Sequence, residues 1–465
     1  MKKYIEETIK SYLSNDYKPW HMPGHKRKKV FGSYLDELFL YDFTEVPGLD
    51  DYHHPENGMI LKSQHEASLC YKTFLTRYLF NGSTSGILSS LYAASSYIKD
   101  KYPNKKYTAL VARNCHTSVF NVLSLLSIDP IYIYPSKDEY TGIYKGVTKD
   151  DFIKALNEAK KQNLIPLFIV LTSPTYEGVF SDIREISKIK DDIPLIVDEA
   201  HGAHLPFLSE KKLRESSAIY AESDIVIQSL HKTLPSLTQT AIIHIPNGSM
   251  LKEELKPYLI SYLSVFQSTS PSYIFMQVIE NCIFFCNENK DKFISYYDLI
   301  DDFRFNMSLH KFKNFHLFTP DEDYDRSRLV LISDEDSING EMISDILSEE
   351  FKIVVEMSAD RYVTLISSIM DSSDDFDYLY ESLLKMDEIL SHLNTDNKKE
   401  IGSDLLLSTV DGAFYLKDCI GKIVDRYIYV YPPGIPIVAP GEEITKKHFD
   451  EITEMLMIGK KIYQN

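Results

Sequence analysis

In "QSLHKTLPSLTQTAIIHI" (228–245) one lysine, Lys232, stands between a histidine and a threonine, directly after a short apolar run that reads as a strand. An amine so placed can bond covalently to a carbonyl, but Lys232 is also one of 50 basic residues, and a surface loop would explain it. Upstream, "PLIVDEAHGAHLPF" (194–207) ends an apolar run in Asp198 and Glu199 and continues to His201 and His204. An aspartate at a strand's carboxyl end can hold a cationic ligand group. The same four residues could ligate a metal, although no further cluster is spaced to complete the set, and Asp198 could cap a helix. "FNGSTSG" (80–86) places Ser83, Thr84 and Ser85 where a helix begins, offering N–H and O–H donors to a phosphate or simply capping the helix. In "ARNCHTSVFN" (112–121), His116 follows another strand, a position where histidines more often pack or cap than catalyse.

Each stretch is ambiguous alone, but their order is informative. Pyridoxal phosphate needs donors for its phosphate, an acid facing its pyridine nitrogen and a lysine for a Schiff base. The segments supply these three parts in sequence on one repeating pattern.

That pattern is a short β-rich apolar run, a polar turn and an amphipathic stretch. The runs are "TALVAR" (108–113), "IYIY" (131–134), "PLFIVLT" (166–172), "PLIVDE" (194–199), "DIVIQS" (224–229) and "TAIIHI" (240–245). Several are apolar at successive positions, as in strands buried on both faces of a mostly parallel sheet. Helical spacing recurs at Ile87, Leu91, Ala94 and Ile98, near 115–127 and at 149–161. The expectation is an α/β fold, a mostly parallel central sheet flanked by helices, with sites beyond the strands' carboxyl ends. After about residue 290, "RLVLIS", "FKIVVEM" and "RYVTLIS" read as strands, 373–392 as a helix and "NTDNKKE" (394–400) as a loop, which predicts a smaller C-terminal α+β domain. The expected division is 1–60, an opening helix and active-site segment; 61–290, the large α/β domain; and 291–465. "DEDYD" (321–325) and "DSSDDFD" (371–377) read as solvated loops or helix starts.

Composition narrows the partners. A net charge of −18 argues against nucleic acid and anionic membranes and is compatible with a cationic substrate. The five cysteines, Cys70, Cys115, Cys282, Cys286 and Cys419, are scattered without a CxxC pair, which implies a reduced compartment and no structural zinc. The N-terminus has no apolar h-region and no stretch approaches membrane-spanning length, so a cytoplasmic location is expected.

The segments "MPGHK", "TEVPGLDDYHHPENG", "NGSTSG", "RNCHTSV", "SPTYEGVFSDI", "VDEAHGAHLPF", "QSLHKTLPSLTQ", "QSTSPSYIFM" and "YPPGIPIVAPGEEIT" run from residue 22 to residue 445. In combination they resemble the Orn/Lys/Arg decarboxylases, fold-type I pyridoxal-phosphate enzymes, and in particular the short bacterial form without an N-terminal wing domain. The resemblance implies that Lys232 anchors the cofactor, Asp198 pairs with its ring nitrogen and His116 stacks on the ring. Ala200 and His201 line the other side, and Ser83, Thr84, Ser85, Ser229 and His231 hold the phosphate. Lys232 or His231 would return a proton to Cα. The substrate would be arginine, lysine or ornithine, with arginine first. The enzyme would be a homodimer or tetramer with active sites at the subunit interface, "QSTSPSY" (267–273) and parts of the N-terminal segment serving the neighbouring subunit. Where many family members have a glycine soon after the "PGHK" lysine, this chain has "RKK". An aminotransferase, a lyase or a catalytically silent cofactor-binding protein are the alternatives.

Overall fold

A computed structural model describes residues 1–15, 17–53, 57–392, 406–431, 434–457 and 460–464. The polar run 394–400 and the motif positions 54–56 and 432–433 lie outside the described residues. The central sheet has seven strands: β1 (Thr73–Leu79), β2 (Tyr107–Ala112), β3 (Pro130–Ile133), β4 (Ile165–Thr172), β5 (Leu195–Asp198), β6 (Ile225–Ser229) and β7 (Ala241–Pro246). Their spatial order is β1-β7-β6-β5-β4-β2-β3, and β7 alone runs against the rest. Every residue of β5, β6 and β7 is buried, which explains their continuous apolar character. Sequence periodicity named all of these strands except β1, whose "TFLTRYL" mixes threonines and an arginine into an edge position. Helices Gly82–Lys101, Thr117–Leu126 and Lys149–Lys161 follow β1, β2 and β3. The other six strands all direct their carboxyl ends to one edge, so the loops after β1, β2, β4, β5 and β6 gather there.

A second sheet, antiparallel, comprises β8 (Phe315–Leu317), β9 (Arg328–Ser333), β10 (Met357–Ser358) and β11 (Tyr362–Ile366) in the order β10-β11-β9-β8. The helix expected at 373–392 is present as Ser373–His392. "FKIVVEM" is not a strand. Phe351 ends the helix Gly340–Phe351, Lys352 turns left-handed at φ 57°, and the N–H groups of Lys352 and Ile353 both bond the Leu347 carbonyl. Ile353 then packs on the core, so its apolar character serves a helix-closing turn and pairing begins only at Met357. The reading of "DEDYD" as solvated also fails at its last residue. Asp325 is fully buried, accepts a hydrogen bond from the Tyr297 hydroxyl at 3.0 Å and pairs with His204 at 3.2 Å. "DSSDDFD" does start a helix, with Asp375 accepting from the Ser372 backbone N–H at 2.8 Å.

Beyond residue 406 the described residues form a two-stranded sheet, a three-stranded sheet and the helix Lys446–Met457, around a small apolar core that includes Leu407, Val424, Ile428 and Ile452. Arg113, just past β2, fastens this part to the central sheet by an ion pair with Glu442 at 3.0 Å and a bond to the Pro436 carbonyl at 2.6 Å.

A buried polar chain crosses the sheet beneath the gathered loops. The Glu199 carboxyl accepts from Ala218 N–H at 2.7 Å, the Ser217 hydroxyl at 2.8 Å and the Gln228 amide at 2.5 Å. Gln228 Oε1 lies 3.3 Å from His244 Nε2, and His244 Nδ1 lies 2.8 Å from the Thr76 hydroxyl. Burial pushes the Glu199 carboxyl up to about 8, against the pull of its three donors, and holds His244 down at about 3. Because the folded state holds the Glu199 proton more tightly than an ordinary carboxyl at 4.5, its contribution to stability is full at low pH and is lost as pH rises toward 8. Urea midpoints should therefore fall between about pH 5 and 8, and the fall should be shallower in Glu199→Gln, whose baseline stability drops by about 1–3 kcal/mol as donor faces donor. Parallel pH profiles for the two proteins would remove Glu199 from this account.

Candidate active site

Lys232 lies in a single helical turn, Leu230–Thr233, that leaves the carboxyl end of β6. Its Nζ is 3.0 Å from His201 Nε2, on the loop that leaves β5. Burial lowers the Lys232 pKa; Asp198 opposes this and Arg328 adds to it. The two loops are neighbours because β5 and β6 pair in parallel, with Asp198 opposite Ile227.

These groups border one cavity of about 620 Å³, its open mouth included, lined by Ser83, His116, Asp198, Ala200, His201 and Lys232 from the expected set. Asp198 is buried, and its Oδ1 accepts from Ala200 N–H at 3.1 Å. His116 caps the helix Thr117–Leu126 through Nδ1, which accepts from Ser118 N–H at 3.2 Å, so in the neutral ring the proton sits on Nε2. Burial holds the ring below its ordinary pKa. His116 is thus both a cap and a cavity wall.

The other expected residues stand back from the cavity. Thr84 is exposed on the first helical turn, and the Ser85 hydroxyl donates to the Gly82 carbonyl at 2.9 Å, leaving Ser83 as the member of the trio on the cavity. His231 is half-buried, its Nδ1 2.9 Å from the Thr240 carbonyl, and Ser229 is fully buried. Glu199 and His204, weighed as metal ligands, face other partners: Glu199 the polar chain and His204 the Asp325 carboxylate.

Several cavity residues were not singled out in the sequence. Asn114 lies two residues before His116, and Tyr176 and Glu177 fall inside the quoted segment "SPTYEGVFSDI" on the loop after β4. Glu177 is buried, its pKa raised by burial, and it accepts from the Tyr362 hydroxyl at 2.6 Å. A buried acid within a quoted segment was the available signal. The Tyr176 ring lies 4.6 Å from that of His201 and its hydroxyl bonds Glu356. Ile435, from beyond residue 406, completes one wall.

A pyridoxal-phosphate site is tested by what the cavity leaves unsatisfied. The helix Gly82–Lys101 begins without a side-chain cap and with Ser83 on the cavity; the Gly82 N–H is bonded to the Gln239 carbonyl at 3.0 Å, so the donors left for a ligand are those of the turn from Ser83 onward. Ser229 Oγ and Asn114 Oδ1 are buried with no hydrogen-bond partner. Spare donors at a helix start, a strand-end acid and a lysine in one cavity suit an anionic aldehyde cofactor with a basic ring nitrogen.

The fold is that of fold-type I pyridoxal-phosphate enzymes. The structure superposes on lysine decarboxylase LdcF of Francisella novicida with a TM-score of 0.80 at 18% identity, covering 99% of this chain and 79% of that one. A structure of Oryza sativa TDC with PLP and tryptamine matches with a TM-score of 0.57 at 12% identity, over 71% of this chain and 75% of that one. Residues 5–369 match the Orn/Lys/Arg decarboxylase major domain and residues 406–463 the C-terminal domain of the same family. The chain belongs to the Orn/Lys/Arg decarboxylase family. It is 28% identical to an arginine decarboxylase of Bacillus subtilis over 97% of this chain and 93% of that protein, and 27% identical to one of Halalkalibacterium halodurans over 94% and 89%. Among the described residues no helix is long and apolar enough to cross a membrane.

Gly434 supports the His116 wall. It has φ +77°, its carbonyl accepts from Thr117 N–H at 3.0 Å, and an added Cβ would lie 3.1 Å from the Tyr431 ring and 3.4 Å from the His116 ring. Gly434→Ala should cost about 1–2 kcal/mol locally through the left-handed backbone and reduce turnover several-fold by displacing His116. Steady-state kinetics beside thermal melts would check this, and wild-type turnover would show that His116 keeps its place without Gly434.

Proposed function

We propose that this chain removes the α-carboxylate of arginine as carbon dioxide, leaving the corresponding amine, with pyridoxal phosphate held at Lys232. The observation that carries the reading is the convergence of Lys232, Asp198 and the uncapped helix start at Ser83 on one cavity. When bound, the cofactor supplies a sink for the electron pair released as the Cα–carboxylate bond breaks. Lys232 would hold it covalently, Asp198 would keep a proton at its pyridine nitrogen, and His116, Ala200 and His201 would contact its ring. Ser83 and the N–H groups of the turn from it onward receive the phosphate, with Thr84, Ser85, Ser229 and His231 behind them. Asp198 is suited to its part because a buried anion stabilises a nearby cation strongly. Lys232 would return a proton to Cα in its ammonium form, which burial disfavours and the neighbouring Asp198 favours, and His231 is the second candidate.

Arginine is favoured because four relatives matched over nearly their whole length are named arginine decarboxylases. Glu177 suits the substrate's guanidinium: it is a buried acid on the cavity, its observed side-chain partner a tyrosine hydroxyl rather than a cation. Lysine and ornithine would meet the same acid with a single ammonium.

The reading extends to a homodimer or tetramer with shared active sites, in the cytoplasm. Trp20, Met22, Phe31 and Tyr34 are 94%, 60%, 67% and 84% exposed within 15 residues of chain, an apolar surface fit for a second subunit. The division at 1–60, 61–290 and 291–465 remains our organisation of the chain.

Carbon dioxide release from arginine, lysine and ornithine in parallel should be fastest with arginine. The protein should carry a cofactor-derived visible absorption that borohydride bleaches and that Lys232→Ala lacks, and Asp198→Ala should keep some cofactor but lose most turnover. A colourless wild-type protein would overturn the reading; amine transfer without carbon dioxide release would point to the aminotransferase alternative. Glu177→Gln should raise the KM for arginine at least tenfold while leaving the visible band in place, and an unchanged KM would move the guanidinium site elsewhere.

A further inference from the structure

We propose that Arg328 is a positioning residue: it fixes the proton of His201 on Nε2 and thereby keeps Lys232 as a free amine. The proposal rests on the reading of Lys232 as the cofactor lysine, but its chemistry belongs to this chain alone. Arg328 opens β9 in the second sheet and is only 1% exposed, the largest fully buried side chain described. Its Nη2 donates to the His201 carbonyl at 2.9 Å and lies 3.4 Å from His201 Nδ1.

A guanidinium has donors and no acceptor, so Nδ1 must be the acceptor in that contact. A neutral imidazole carries one N–H, which is then on Nε2. That nitrogen faces Lys232 Nζ at 3.0 Å. An ammonium has only hydrogens to present and would meet the Nε2–H head-on, whereas an amine has a lone pair to accept it. Only the free amine can condense with an aldehyde, forming C=N and releasing water.

The ring cannot easily escape this role by taking a second proton. Burial, then Lys232, Arg328, His116 and His231, all push its pKa well below the ordinary value. Around Lys232, Asp198 and Glu356 favour the ammonium, while burial and Arg328 oppose it. Tyr176 packs against the His201 ring at 4.6 Å, tilted by 59°, and Gly178, at φ +100°, lets the Arg328 side chain pass where a Cβ would stand 2.9 Å from its Cγ.

Arg328 is poorly explained as a stabilising residue. Its Nε and Nη1 are buried without a hydrogen-bond partner; the nearby acid Asp325 feels its charge, after that of His204, but accepts its hydrogen bonds from Tyr297 and Ser327 and turns Oδ2 to His204 at 3.2 Å. A buried, half-satisfied cation usually costs stability, so its retention points to the histidine it contacts.

The test measures the Lys232 amine directly. The cofactor-free full-length chain is labelled with trace acetic anhydride across pH, and acetylation of Lys232 is quantified by mass spectrometry against exposed lysines. Wild-type Lys232 should become reactive at least one pH unit below the exposed lysines, and Arg328→Gln should move that midpoint up by one unit or more, slowing pyridoxal phosphate capture at pH 7 about tenfold. Arg328→Lys, which keeps a cation, should stay near wild type. Should Arg328→Gln not fold, ¹⁵N-histidine spectra of the wild-type chain decide: Nε2 protonation of His201 is expected, and an Nδ1–H ring would overturn the proposal. Superposed labelling profiles for wild type and Arg328→Gln would overturn it equally. Acetylation needs no cofactor, so a protein that failed to bind pyridoxal phosphate would defeat the assigned function while leaving this result standing.

Discussion

The structure depends on the parallel pairing of β4, β5 and β6, which brings together strand ends far apart in the chain. A parallel ladder fixes register between strands that no short turn connects, and each crossover returns the chain to the same edge. Thr172 at the end of β4, Asp198 at the end of β5 and the turn with Lys232 after β6 therefore open onto one cavity. Had β5 and β6 been joined as a hairpin, the acid and the lysine would stand at opposite edges.

On that edge the electrostatics run against the whole-chain charge. The protein is acidic at −18, yet the cavity gathers Lys232, His116 and His201 around Asp198, with the charge of Arg328 and the ring of His231 close behind. Burial resolves the crowding by discharging groups: His116, His201, His231 and Lys232 are all shifted toward their neutral forms. The result is a set of proton donors and lone pairs in fixed positions, able to receive an anionic cofactor without first shedding counter-ions. Global charge concerns solubility and the approach of a cation; it says little about this interior.

Much of the fold was legible because strands buried on both faces leave nearly uninterrupted apolar runs, as β4, β5, β6 and β7 do, and the half-buried edge strand β3 still shows the short run "IYIY". β1 was missed at the sheet's edge, and "FKIVVEM" was misread because the apolar residues that close a helix look like those that pair in a sheet. Within the site, Lys232, Asp198, His116 and His201 stood out because each follows a readable strand. Arg328 could not stand out in that way: it begins a strand of a different sheet, and its contact with His201 depends on how the two sheets pack. Asp325 fell into an acidic run and was taken for solvated, since sequence gives the number of charges but not which one turns inward. Glu177 lay in a recognised segment, where only three dimensions show that it faces the cavity.

The polar chain from Glu199 through Gln228 and His244 to Thr76 crosses four adjacent strands or strand ends, and its neighbours in β5, β6 and β7 are mostly Ile, Val and Leu. Aliphatic residues tolerate a slipped ladder, because one branched side chain packs nearly as well as the next. A slip of one residue at β6 would turn Gln228 to the opposite face and strand a buried acid on one side and a histidine on the other. The chain thus acts as a key cut across the sheet, admitting a single alignment of the strand that ends in the lysine turn. Catalytic geometry at the edge is then inherited from an error check made in the interior during folding.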